Sequence, residues 1–312
     1  FNKSLVTYLK SISDGSLSIV DVHNYHKFAR GYLGNRGMLG WNDIVPSMDY
    51  TRENKKLTFI KQAIADAKKE MGENATLSRA PEVYYEEISW IEKMGITTLE
   101  EYIDAERVGR AGARIVRSKR KYFFDVYKRY LDIRKNHDYK YDWDDIARTV
   151  KEELEEDTDE RMYKHIVIDE GQDLSPVMLQ SLALAIPENG SITFFGDVAQ
   201  QIYGGRISWR NAGLKVNKNE IWKFDQNYRN SKEIADLAIA ISKLPCFQQS
   251  VDLVTPKHPV ASGPKPVLVE FPDEDSELKW LIKSAPSLSQ TETVAILERL
   301  LKKLKQCLIE EA

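Results

Sequence analysis

Residues 165–173 read H-I-V-I-D-E-G-Q-D. Ile166, Val167 and Ile168 form a short continuous apolar run, the pattern of a buried strand, and two carboxylates, Asp169 and Glu170, follow it directly. Ser175-Pro176 then supplies a helix start, with Ser as N-cap and Pro in the first helical position. Val177, Leu179, Leu182, Ala183 and Ile186 carry that helix to Pro187, and a second strand, Ile192–Phe195, runs into Gly196-Asp197. Strands alternating with helices predict an α/β fold with a parallel sheet, whose ligands sit at the carboxyl ends of the strands.

Outward from this stretch the text changes character. Leu5, Tyr8, Leu9 and Ile12 have helical spacing, Leu17–Val22 is a short apolar stretch, and a helix starts near Asn24 and runs to the glycines at 31 and 34. Residues 41–159 read as helical and polar, which predicts an inserted helical subdomain. Asn230 and Glu233 have the spacing of a capping box opening a helix through Ile234, Leu237 and Ile241. The prolines and glycine of 246–264 mark a linker, after which strand Pro266–Phe271, helix 274–285 and strand Thr293–Leu297 predict a second α/β unit over 265–312.

A length of 312 residues favours more than one domain, since single cores stop growing at roughly 250–300 residues. Hydrophobic content of 42% supports buried cores, and no run approaches the roughly 18 apolar residues that span a bilayer. Cys246 and Cys307 form no Cys-x-x-Cys pair, so the expectation is two reduced thiols in a cytoplasmic protein rather than a disulfide or zinc framework. The five histidines make no metal spacing, and Asp142, Asp144 and Asp145 read as the start of a helix at Ile146. Net charge is −3, but residues 105–135 hold eleven Lys/Arg against three Asp/Glu, and residues 151–160 hold seven acids against one lysine. Local patches set the field a polyanion meets.

Three elements can carry chemistry. Of the Asp169-Glu170 pair, one carboxylate can hold Mg²⁺ and the other can deprotonate an attacking water; a strand end followed by a polar turn has the same look. In F-F-G-D-V-A-Q-Q-I-Y, residues 194–203, Gln200 can sense a γ-phosphate, and Tyr203 can either stack on a base or fill a core. In F-D-Q-N-Y-R-N-S, residues 224–231, Arg229 can reach a phosphate or close a salt bridge at a helix start.

In this order, D-E-x-Q-D, G-D-x-x-Q-x-I-Y and N-Y-R resemble motifs II, III and IV of the UvrD/Rep branch of superfamily 1 helicases. Phe1-Asn2-Lys3-Ser4-Leu5 is similar to that family's motif Ia, and Tyr25-His26-Lys27-Phe28-Ala29 to motif Ib. The resemblance implies an ATP-driven DNA motor with a RecA-like domain at 1–40 and 160–245, a helical subdomain 1B at 41–159 and the start of a second RecA-like domain at 265–312. It implies Mg²⁺ on Asp169 and general-base action by Glu170. Gln172 and Gln200 would couple the γ-phosphate to DNA, Tyr228 would lie on adenine, and Arg229 would touch the γ-phosphate. Phe1, Asn2, Lys3, His26, Tyr203, Trp209 and Arg210 would face DNA, as single strands and single/double-strand junctions, with 3′→5′ polarity; whether a nuclease or repair protein is a partner stays open. In the family the Trp-Arg pair follows the Tyr closely, whereas here Gly204–Ser208 intervene.

The family's phosphate loop, Gly-x-x-x-x-Gly-Lys-Ser/Thr, does not occur in the sequence, and the resemblance puts it just upstream of Phe1. The expectation is a chain whose true N-terminus is absent, whose arginine finger and motif V lie beyond Ala312, and which hydrolyses ATP poorly as it stands. A non-catalytic DNA-binding module that has lost the loop, and the motor part of a helicase-nuclease, are the alternatives. Arg107, Arg110, Arg114, Arg117, Lys121 and Lys128 would fall on one stripe of a continuous helix, either a phosphate-contacting face or a solvated one, although Gly109 and Gly112 interrupt it. Subdomain 1B lies near duplex DNA in the family, which favours contact.

Overall fold

Asn24, in extended backbone, accepts the Lys27 amide through its side chain and so opens helix α1, Tyr25–Asn35. The computed structural model describes residues 7, 11, 20–48, 53–107, 114–197, 221–244, 257, 259–291 and 293–295. The chain divides into two units, Phe1–Trp222 and Lys223–Ala312. Among the described residues no helix is long and apolar enough to cross a membrane.

The first unit holds two apolar cores. Helices α2 (Lys55–Met71), α3 (Pro81–Met94), α4 (Leu99–Asp104) and α5 (Arg120–Asn136) surround one of them. Phe59, Ile60 and Ala63 of α2, Tyr84 and Ile88 of α3, and Phe123 and Tyr130 of α5 are fully or almost fully buried there. The rings of Tyr84 and Phe123 stack with centroids 4.4 Å apart. Helix α4 is only six residues long and is held by a reciprocal capping box between Thr98 and Glu101. At its other end the buried Arg120 guanidinium donates to the carbonyls of Tyr102, Ile103 and Ala105, closing orphan acceptors with a positive charge.

The second core is built from α1, α6 (Ile146–Glu156), β1 (His165–Ile168), α7 (Pro176–Leu184) and β2 (Ser191–Phe194). β1 and β2 pair in parallel, with Ile166 opposite Ile192 and Ile168 opposite Phe194. Parallel strands need a crossover, and α7, capped by Ser175 with Pro176 in its first turn as the sequence predicts, supplies it. Helix α6 starts at Ile146, as read, but it packs its Ile146, Val150 and Leu154 stripe in this core. Its apolar face meets the almost wholly apolar α7.

Lys56, on α2, joins the two cores. Its ammonium is buried and lies 2.7 Å from Glu92 of α3 and 2.9 Å from both Asp142 and Asp144 in the turn before α6. Tyr130 donates to Asp142 at 2.6 Å, and Arg134 of α5 pairs with Asp145 at 2.7 Å. Burial alone would push Lys56 down; Asp142, Glu92 and Asp144 reverse this and hold it well above the ordinary lysine range. Burial and the Asp142 charge push Glu92 well up, and its Oε1 is buried with no hydrogen-bond partner. Close by, α3 ends at Gly95 with φ +70, where a Cβ would come within 2.6 Å of Val177 on α7.

The second unit contains α8 (Lys232–Ser242) and α9 (Glu274–Leu288). The cap of α8 is Ser231, not Asn230: the Asn227 side chain takes the amides of Arg229 and Asn230, which moves the helix start one residue on. Glu233 accepts the Gly263 amide. Helix α9, capped by Asp273, runs past 285 to Leu288 with Pro286 in its last turn. The expected strand at 266–271 does not form. Val267 and Leu268 are exposed there, and no neighbouring strand among the described residues pairs with them. Residues 293–295 are likewise not a strand.

Replacing Lys56 with Met leaves Glu92, Asp142 and Asp144 without their buried cation. The expected loss is about 3–5 kcal/mol in urea-induced unfolding, whereas Lys69→Ala, at an exposed α2 pair with Asp66, leaves the midpoint unmoved. A Lys56→Met chain as stable as the unaltered one contradicts the joint.

Candidate functional site

β1 runs out at the buried Ile168, and the backbone then turns sharply. The ladder continues one step past β2, with the Phe195 amide donating to Ile168 and the Gly171 amide to Phe195, both at 2.8 Å. To make this turn, Glu170 takes a left-handed backbone conformation, φ 51 and ψ 40. That conformation costs a non-glycine residue about 1–2 kcal/mol. Gly171 follows because a Cβ there would overlap the Phe194 ring. A short 3₁₀ turn, Gly171–Asp173, leads to the Ser175 cap of α7.

Asp169 and Glu170 are both exposed at the carboxyl end of β1. The Asp169 carboxylate accepts the Glu170 amide at 3.0 Å. Gln172, by contrast, is buried, and its amide is fully engaged: Nε2 donates to Glu170 Oε2 at 2.5 Å, and Oε1 accepts the Asp197 amide at 3.0 Å. One side chain thus ties the acidic pair after β1 to the residue that leaves β2. Burial, with the Glu170 charge nearby, raises Asp173.

Tyr228 and Arg229 belong to the second unit, where both are exposed and the Arg229 amide is fixed by Asn227. Phe1, Asn2, Lys3, Arg110, Gln200, Tyr203, Trp209 and Arg210 lie outside the described residues. The structure therefore brings together Asp169, Glu170 and Gln172 among the residues read from the sequence.

Two of the expected DNA-facing residues are turned inward. His26 is half-buried, bonds the Trp143 carbonyl at 3.0 Å and sits edge-on to the Trp143 ring at 5.3 Å. Arg107 is not on a solvent stripe: its guanidinium is buried and forked on Glu87, at 2.8 and 2.6 Å. The signal for this correction was in the sequence, because Glu87 shares the Tyr84–Ile88–Ile91 face of α3, and a carboxylate on an apolar face needs a cation. Arg114 and Arg117 precede α5, which begins only at Arg120, while Lys121 and Lys128 lie within it; all four are exposed.

A groove of about 380 Å³ lies between α1 and residues 157–163. Its two arginines, Arg36 and Arg161, are both committed to Asp157, and its remaining cation, Lys27, shares the lining with Asp21, Asp159 and Glu160, a poor setting for a phosphate. The strand ends are the better candidate.

The chain spans roughly a tenth to two fifths of the length of the curated relatives it matches. A probable DNA helicase II homolog of Mycoplasma capricolum is 24% identical over 298 residues, covering 89% of this chain and 38% of that protein. The ATP-dependent DNA helicase srs2 of Schizosaccharomyces pombe is 32% identical over 154 residues, covering 45% of this chain and 17% of that one. The exonuclease/helicase subunit RexA of Lactococcus lactis is 32% identical over 137 residues, covering 39% and 11%. The profile of the UvrD/REP helicase N-terminal domain matches residues 4–228, across both strands, the Asp169–Gln172 turn and Tyr228. A match of that extent, over a site of this geometry, makes the chain a member of the UvrD/REP helicase family.

Proposed function

We propose that the chain is motor machinery of an ATP-dependent DNA helicase, in which ATP hydrolysis drives 3′→5′ movement along single-stranded DNA toward a single/double-strand junction. The observation that carries this reading is the Gln172 bridge, which joins Glu170 to the exit of β2. In this assignment residues 1–40 and 160–245 form a RecA-like domain, 41–159 the helical subdomain 1B and 265–312 the start of a second RecA-like domain.

The exposed Asp169 and Glu170 offer an oxygen-only donor set suited to a small hard cation. Asp169 is the residue to hold Mg²⁺, which when bound would neutralise phosphate charge. Glu170 accepts the proton of the attacking water, held in place by the Gln172 amide. Gln172 also touches the backbone of Asp197, three residues before Gln200, so a shift there under load on DNA reaches Glu170. Tyr228 covers adenine and Arg229 and Gln200 meet the γ-phosphate. Arg114 and Arg117 lie exposed on the insertion for sequence-independent phosphate contact. The likeness to RexA, named an exonuclease/helicase subunit, favours nuclease coupling over a catalytically silent DNA-binding module. A cytoplasmic setting fits the two lone cysteines.

In the full-length protein, Glu170→Gln is expected to lower ATP turnover by about 10²–10⁴-fold while single-strand binding survives. Turnover at the unaltered rate removes Glu170 as the base. Gln172→Ala is expected to abolish most of the stimulation of ATPase by single-stranded DNA while leaving more of the DNA-independent rate. Equal loss of both rates argues that Gln172 only supports the turn.

A further inference from the structure

Trp41 is 91% exposed, the most exposed tryptophan among the described residues. Its exposure does not come from a loose segment. The Asp43 carboxylate accepts the Gly40 amide at 2.8 Å and pairs with Lys140 at 2.9 Å. The Asp43 carbonyl takes the amides of Lys140 and Tyr141 at 2.8 and 2.9 Å, and the Val45 amide donates to the Tyr141 carbonyl at 2.8 Å. A pinned turn therefore presents a large apolar ring to water.

Arg30 projects from the exposed face of α1 and holds its guanidinium 5.6 Å from the Trp41 ring centroid. Lys27 lies one turn earlier, exposed at the edge where that face meets the groove between α1 and residues 157–163. Neither cation has a carboxylate partner among the described residues, and Asp43, beside Trp41 in sequence, is already committed to Gly40 and Lys140. Gly31 and Gly34 sit in the same helix, where an added Cβ would meet nothing within 4 Å. Packing inside the chain does not call for glycine there, although glycine weakens a helix interior.

The geometry points to a single-stranded DNA subsite at Trp41, Arg30 and Lys27. The free face of the indole stacks one base, and the two cations meet the flanking phosphates. The site rests on the DNA-motor reading; Lys27 lies in the stretch similar to motif Ib, whereas Trp41 and Arg30 lie outside every stretch that resembles a helicase motif. Unpaired positive charge selects a polyanion, and an exposed ring selects a strand whose base faces are free, which a duplex does not offer.

The test is fluorescence anisotropy of labelled oligothymidylate with the full-length protein. Trp41→Ala is expected to raise Kd roughly tenfold, Trp41→Phe to recover most of the affinity, and KM for ATP to stay unchanged. Arg30→Glu is expected to weaken binding and lower the slope of log Kd against log salt by about one. If a folded Trp41→Ala protein binds like the unaltered one, the subsite is overturned while the motor reading stands. If the unaltered protein binds no oligothymidylate, both fail. A change confined to self-association in light scattering, with oligothymidylate affinity intact, makes the platform a protein contact and overturns the proposal.

Discussion

The first unit depends on one buried ammonium. Three of its four nearest polar partners are carboxylates, drawn from α3 and from the turn before α6, and of these only Asp144 keeps some contact with solvent. Removing any one carboxylate changes the balance of the rest, because their charges are felt at low dielectric. The cluster fixes where α6 leaves the helical core and joins the strand core, so the route of the chain into β1 is set by electrostatics as well as by apolar packing. An all-apolar joint could be as stable, but its partners would not have to meet at one point; the ammonium requires it.

At the other end of that route, the same logic appears on a smaller scale. Glu170 sits in a costly backbone conformation, and Gln172 and the Gly171–Phe195 bond over-determine it. Strain of this kind persists only where surrounding bonds enforce it. Here the enforcing bonds come from β2, so the orientation of the exposed carboxylate depends on the second strand rather than on its own. The two strand ends are thereby joined through one buried side chain.

Much of this was legible in residues 165–197. A short β-branched run bounded by polar residues, then Ser-Pro, then a second run, leaves few options other than strand, crossover helix, strand, and the parallel pair follows. The acidic pair was legible because it directly follows the apolar run. Reading failed where local pattern needs a distant partner. The 266–271 stretch has strand composition but no neighbour among the described residues, and Arg107 matched a helical stripe while Glu87, twenty residues earlier, claimed it. The α8 cap slipped by one residue because Asn227 forms its own side-chain turn, a choice that depends on two amides rather than on the Asn-x-x-Glu spacing. Lys56 and Trp41 had no signature at all: a lone lysine and a lone tryptophan acquire meaning only from burial or exposure.

Formal charge misleads for the same reason. Glu92, Asp142, Asp144 and Asp145 count toward the net −3, yet they are turned inward around Lys56 and Arg134, and Glu87 is spent on Arg107. Those internal pairs are largely invisible to a ligand at the surface. On the helical core Arg114, Arg117, Lys121 and Lys128 are exposed, as are Glu100, Asp104, Glu106 and Asp132, and the acidic run of 151–160 lies on α6 and the turn after it. The charge a surface ligand meets is therefore set by which carboxylates the fold has already used, not by the net charge of the sequence.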